Sequence, residues 1–247
     1  MPATPLVRRT HERGISVLTL DSPHNRNALS GRLVEELLGQ VASAARDPEI
    51  RAVLLTHTGS TFCAGADLRE GGTPQDLVGL LRALVECVKP VVACVTGHVR
   101  AGGLGLLGAC DISAAGPGAT FAFTEARIGV APAVISLPLL PRLAPRAAAR
   151  YYLTGETFDA AEAARTGLVT LAADDPEAAL GPVLDGLRRS SPQGLAESKR
   201  LLTASLLHGF DQDGEALAGL SARLFSTPDA QEGIAAFLER RDAAWVR

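Results

Sequence analysis

The sequence predicts an α/β fold with parallel strand pairing, followed by a helical C-terminal region. Short apolar runs alternate with stretches of helical periodicity up to about residue 190, the pattern of strands joined by crossover helices. Two of the runs, Ala52–Thr56 and Val91–Val95, are apolar almost throughout, as strands covered on both faces are. Beyond Pro192 the strand-like runs stop and helical spacing alone remains. The expected organisation is an α/β core over residues 1–190 and a helical part over 191–247.

The elements follow in order. Ile15–Leu20 reads as a strand, ended by Asp21-Ser22-Pro23. Asn25–Leu29 is a loop, and Ser30 can cap a helix carrying Leu33, Val34, Leu37, Leu38 and Val41 at helical spacing. Ala52–Thr56 is a strand running into Gly59, and Leu77–Val88 is an amphipathic helix stopped near Lys89-Pro90. Val91–Val95 is a strand, Gly102–Cys110 a helix of small residues, and Ile112–Ala115 and Thr120–Ala122 short strands. Glu156 is expected to start a helix after Thr154-Gly155. Three helices are expected at the end: Gln193–His208, Asp213–Phe225 and Thr227–Arg241, the last with Thr227 as cap and Pro228 at its first position.

Composition excludes several classes of function. A chain of 247 residues that is 47% hydrophobic can bury a sizeable core. A net charge of −3 and the lack of a basic run argue against nucleic acid and anionic membranes. No apolar stretch approaches the ~20 residues of a membrane span, and the polar start of the chain is no signal peptide, so a cytoplasmic protein is expected. Cys63, Cys87, Cys94 and Cys110 have no CxxC spacing and sit among apolar residues, as buried reduced thiols do. The five histidines have no metal-ligand spacing, and no phosphate-binding glycine motif fits its required context.

Two turns and one acid carry the chemistry. Thr61-Phe62-Cys63-Ala64-Gly65-Ala66-Asp67-Leu68 follows a strand; if a helix begins near Asp67, the Ala66 N–H is a free donor at the positive end of its dipole. Gly97-His98-Val99-Arg100-Ala101-Gly102-Gly103-Leu104-Gly105 repeats the arrangement of strand, glycine-rich turn and helix. Alone, the first turn also fits a simple strand-to-helix turn with Asp67 as cap, and the second fits tight helix packing through small residues. Together, two donors aimed at one oxygen make an oxyanion hole. Glu125 lies in an apolar stretch, Phe121 to Gly129, that should raise its pKa into the range useful for acid–base catalysis. A capping or ion-paired glutamate, with Arg127 close by, is the structural alternative.

These segments resemble the two hallmark segments of the crotonase, or enoyl-CoA hydratase/isomerase, superfamily: Phe62 through Leu68, and Gly97 through Cys110-Asp111-Ile112. Asn27-Ala28-Leu29, Leu153-Thr154-Gly155-Glu156 with Ala160 through Val169, Ser191-Pro192 through Lys199, and Asp229 through Phe237 extend the resemblance over nearly the whole chain. The resemblance implies a crotonase-like spiral of ββα turns with a helical C-terminal region, assembled as a homotrimer or a dimer of trimers. It implies an acyl-CoA substrate whose thioester oxygen rests on the N–H groups of Ala66 and Gly102. The Ala64 carbonyl would accept from the adenine amino group. Asp67, Leu68 and Ala28 would line the coenzyme A path, and Arg26 is a candidate for its phosphates. Coenzyme A would enter as part of the substrate, with no metal or redox cofactor needed, because the oxyanion hole serves as electron sink.

Two departures matter. Hydratases of the superfamily carry two glutamates that hold one water; the second aligns with Glu125, while the first falls on Gly105. Some isomerases and dehalogenase-like members carry an aspartate where this chain has Ala133. His98 and Arg100, beside the second turn, are weak candidates to substitute for the absent acid. Asp111 is expected to be structural. The leading expectation is an enoyl-CoA hydratase-like lyase with one of its two glutamates missing. The alternatives are an enoyl-CoA isomerase using one base and a non-catalytic acyl-CoA-binding homologue.

Overall fold

The computed structural model describes residues 4–67, 70 and 72–247. Its strands form two sheets. The larger has six strands in the order β1 (Val7–Glu12), β2 (Ile15–Leu20), β3 (Ala52–His57), β5 (Val91–Val95), β7 (Ile112–Ala115) and β10 (Leu171–Ala172). All neighbours in it are parallel except β1 and β2. The smaller has four: β4 (Thr61–Cys63), β6 (His98–Arg100), β8 (Thr120–Ala122) and β9 (Phe158–Asp159), with only β9 antiparallel.

The chain feeds the two sheets alternately. After β2 comes α1 (Gly31–Arg46). Then β3 and β4 lead to α2 (Pro74–Glu86), and β5 and β6 lead to α3 (Gly102–Ala109). Next, β7 and β8 lead to a 3-10 turn at Glu125–Ile128. After the opening β1–β2 pair, which lies wholly in the larger sheet, each turn gives one strand to each sheet and then a helical segment, which is the expected ββα spiral. Phe62, Phe121 and Phe123, from or just after small-sheet strands, are fully buried beside Leu80, Leu81 and Leu84 of α2. The starts of the helices are specified locally. The Ser30 hydroxyl accepts from Leu33 N–H at 3.3 Å. Thr73 and Asp76 cap α2 reciprocally, at 3.2 and 2.7 Å.

The remaining helices are α4 (Ser136–Leu139), α5 (Pro145–Thr154), α6 (Ala160–Arg165), α7 (Pro176–Arg189), α8 (Pro192–Phe225) and α9 (Pro228–Glu239). One element is added to the sequence reading here, and three expectations change. The polar segment Val7–Glu12 is a strand, because Arg13 and Gly14, both at positive φ, turn it back on β2 as an edge strand. The predicted starts of the two turns are themselves short strands, β4 and β6. The helices expected at 193–208 and 213–225 are one helix, since Phe210 buries in the junction and nothing there caps a helix end. Finally, Glu156 starts no helix: Asp159 caps α6, accepting from Glu162 N–H at 2.8 Å, while Glu156 pairs with Arg150.

Both C-terminal helices pack on the rest of the chain. In α8, Lys199 reaches through the surface to Asp111 at 2.8 Å and to the carbonyls of Leu84 and Lys89 at 2.8 and 3.2 Å. Asp111 also accepts from Val91 N–H at 2.7 Å, which fixes its structural role. In α9, backbone meets backbone. A Cβ on Gly233 would sit 2.5 Å from the Ile128 carbonyl carbon, and one on Gly129 would sit 2.5 Å from Asp229. Helix α9 is thereby pressed onto the turn that carries Glu125.

Candidate active site

The first turn leaves β4 at Cys63 and passes through Gly65 at φ +93°. Leu29 N–H donates to Gly65 O at 2.8 Å, and Asp67 N–H donates to Leu29 O at 3.3 Å. This short parallel bridge uses the groups on either side of Ala66, and among the described residues the Ala66 N–H makes no hydrogen bond. Among the described residues no helix begins near Asp67; the Thr73–Asp76 cap starts α2 at Pro74. Pairing with Leu29 therefore aims the Ala66 donor.

The second turn does end in a helix. Ala101 holds φ +47°, a strained value for a residue with a Cβ, and α3 begins at Gly102. The Gly102 N–H is thus a first-turn donor with no partner inside its helix. The two turns touch. A Cβ on Gly65 would lie 3.3 Å from the Gly102 nitrogen, and a Cβ on Gly102 would lie 3.6 Å from the Ala66 nitrogen. Gly103 makes the approach possible, since a Cβ there would lie 2.7 Å from the Cys63 carbonyl oxygen. Gly103→Ala is expected to cost about 1–3 kcal/mol of stability and to spread the two donors. A chemical melt together with turnover checks this; wild-type values in both would show that the contact gives freely.

Ala64, Ala66, Gly102 and Glu125 line one cavity of about 590 Å³. Glu125 opens the 3-10 turn and is only 8% exposed. Its Oε2 is buried without a hydrogen-bond partner. Burial lifts its pKa from 4.5 to about 7, against a smaller lowering by its own backbone N–H. The ion pair considered with Arg127 does not form; Arg127 Nε donates to Thr154 O at 2.9 Å. The carboxyl is therefore poised to take or give a proton near neutral pH.

Gly105 is not an open gap. A Cβ built on it would lie 2.6 Å from Ile135 Cγ2 and 3.2 Å from Leu81 Cδ1. The branched side chain of Ile135 fills the space a second acid would need, and Ile135 and Leu81 make this side apolar.

The other sequence candidates scatter. Asp67 lines a smaller adjoining cavity of about 330 Å³ and accepts from Asn25 Nδ2 at 3.1 Å. Leu68 lies outside the described residues. Arg26 is exposed, at φ +60°, and its carbonyl accepts from Ala64 N–H at 3.1 Å; Ala28 is buried in the same loop. Arg26 and Ala28 line neither cavity. Arg100 is tied to Thr120 at 2.6 and 2.8 Å, and His98 to the Thr120 hydroxyl at 2.9 Å, so neither supplies the missing acid. All four cysteines are free and buried, and burial pushes the Cys63 and Cys110 thiols up to about 12. Among the described residues no cluster could hold a metal, and no helix is long and apolar enough to cross a membrane.

Three large apolar side chains of the C-terminal part, which the sequence did not single out, also line this cavity. Phe225 of α8, Phe237 of α9 and Trp245 beyond it face the same space as Glu125. The signal was the apolar spacing of the last two helices, but nothing in the sequence says which face they turn to the site.

The comparisons with known proteins agree with this arrangement. A family model described as enoyl-CoA hydratase/isomerase matches residues 10–247. A solved enoyl-CoA hydratase from Mycobacterium avium superposes with a TM-score of 0.93 at 52% identity, covering 99% of this chain and 100% of that one. A protein of Thermus thermophilus, provisionally named an enoyl-CoA hydratase, is 35% identical over 246 residues, 93% of this chain and 97% of its own. The mevalonyl-coenzyme A hydratase of Aspergillus fumigatus is 32% identical over 251 residues, covering 94% of this chain and 91% of its own.

Proposed function

Because the chain belongs to the enoyl-CoA hydratase/isomerase family, we propose that it moves a proton on an enoyl-CoA thioester through an enolate held by Ala66 and Gly102, with Glu125 as its one acid–base group. The observation that carries the proposal is the buried, unpartnered Oε2 of Glu125 on the same cavity as the two free N–H donors. As electrons move onto the thioester oxygen, each donor stabilises charge that the ground state lacks. Loss of one such donor typically costs roughly 2.7–4 kcal/mol. Coenzyme A enters with the substrate, and the enolate needs no metal or redox group as electron sink.

Hydration is the first form of this chemistry, and the names of the relatives support it. Water adds its oxygen at Cβ, and Glu125 handles the proton that ends on Cα. Double-bond migration is the second form, and the packing of Ile135 against Gly105 favours it. Glu125 takes a proton from Cα and returns it two carbons away, and no water has to be held against an apolar wall. Incubation with 2-enoyl- and 3-enoyl-CoAs in deuterated water separates them. A product heavier by one water means hydration, and deuterium exchange with an isomeric product of otherwise unchanged mass means migration. Binding without either outcome across a chain-length panel would support the non-catalytic reading instead.

Gly105→Glu alone is expected to destabilise the protein by about 1–3 kcal/mol and to add no hydration, since Ile135 occupies the site. Gly105→Glu with Ile135→Ala should accommodate the acid and raise hydration. A stable single variant with fast hydration would show that Ile135 yields easily. Assembly in threes, the superfamily's habit, is proposed as well. It is supported by Leu153, Leu201 and Leu202, which are 75–80% exposed in the single chain, and light scattering tests it.

A further inference from the structure

We infer that the site takes a long apolar acyl group, and that the C-terminal segment Arg241–Val246, clasped by Glu232, is the wall that reads its length. The inference rests on the thioester reading above. The cavity, about 590 Å³, has the volume of one that holds a drug-sized ligand, and the part beyond the thioester donors is the space open to an acyl chain. Away from the Ala66 and Gly102 donors its apolar wall is Val130, Val134, Phe225, Phe237, Trp245 and Val246, with Arg127, Ser221, Arg241 and Asp242 also on the lining. Three of these are unusually exposed for their type: Phe237 at 55%, Trp245 at 42% and Val246 at 56%. An apolar ligand would cover them.

One carboxylate shapes this wall. Helix α9 ends at Arg240, at φ +56°, and the chain reverses. The Glu232 carboxylate then accepts from both Nη atoms of Arg241, at 2.6 and 2.9 Å, and from Ala244 N–H at 2.8 Å. This double grip brings Trp245 back to the cavity. It also occupies Arg241, whose Nε donates to Glu239 at 2.7 Å, so this guanidinium is committed away from any charged end of a ligand. Meanwhile the contact of Gly233 with Ile128 holds α9 itself against the Glu125 turn.

Trp245 is the only tryptophan, so it reports on the wall directly. The experiment titrates saturated straight-chain acyl-CoAs, from four to fourteen carbons, into the full-length protein, following tryptophan emission and heat of binding. Saturated esters bind without turnover. Affinity is expected to rise about fourfold per methylene until the cavity is full, and emission to shift only for the longer esters. Glu232→Ala should flatten this dependence, weakening the long esters by about tenfold or more while moving the four-carbon ester little. Trp245→Ala, read by heat alone, should do the same if Glu232→Ala folds poorly.

Equal affinity at every length with unchanged emission would overturn the inference and leave the thioester reading intact. Tighter binding of a carboxyl-ended ester than of its methyl-ended counterpart would overturn the apolar end. Failure of every CoA ester to bind would overturn the thioester reading, and the inference with it.

Discussion

Glu125→Gln is expected to lower turnover of enoyl-CoA esters by about 10²–10⁴-fold while leaving their binding nearly unchanged, the loss typical when a general acid–base group is removed. The amide matches the carboxyl in shape and fits the same pocket without burying a charge. The same substitution should stabilise the protein at alkaline pH. The pKa of Glu125 is raised from 4.5 to about 7 in the folded state. Between these values the folded protein keeps a proton that the unfolded chain releases, so stability falls as pH rises through this window. The full difference is about 3 kcal/mol above pH 7, and it vanishes below pH 4.5. Glutamine does not titrate. Its stability relative to wild type should therefore climb by that amount from acid to alkaline conditions. Urea melts at several pH values check the stability, and kcat and KM for enoyl-CoA check the activity. Turnover near wild type would remove Glu125 from the chemistry. A pH-independent stability difference would mean that its carboxyl is solvated after all.

The framework of this site was legible in the sequence because it depends on small residues, which leave few choices. Gly65 and Gly102-Gly103 permit close backbone approach and little else, so two such turns after buried strands pointed to a shared ligand. What aims the donors was not legible. Ala66 is fixed by Leu29, which lies 37 positions earlier in the chain, and that bridge is a tertiary fact that no local signal carries. The same distance hid the meaning of Gly105. As a sequence position it looks like a vacancy, and only the fold brings Ile135 into it. Where caps and periodicity decide the structure, as at Ser30 and Thr227, expectation and fold agree. Where burial decides, as at Phe210 inside α8, local signals for a break are outweighed.

Lys199→Met should cost about 3–5 kcal/mol, more than any surface ion pair in the chain. The Lys199 and Asp111 side chains are only 5% and 13% exposed, and the ammonium serves three acceptors: Asp111 and the carbonyls of Leu84 and Lys89. Methionine fills the volume but leaves all three facing one another with one donor remaining, Val91 N–H on Asp111. Exposed pairs such as Arg200 with Glu197 contribute ~0–1 kcal/mol by comparison, because water already screens them. Adding Asp111→Asn should recover part of the loss, since the amide removes the unpaired charge and still accepts from Val91 N–H. The effect should be confined to stability. Lys199 lies near the start of α8, whereas Phe225 reaches the cavity from its other end, about 40 Å away along the helix. The folded fraction of the variant should then keep its kcat, and denaturant unfolding should show an earlier midpoint with an unchanged slope. A loss under about 1 kcal/mol would mean that water reaches the pair and that α8 is held by its apolar face alone.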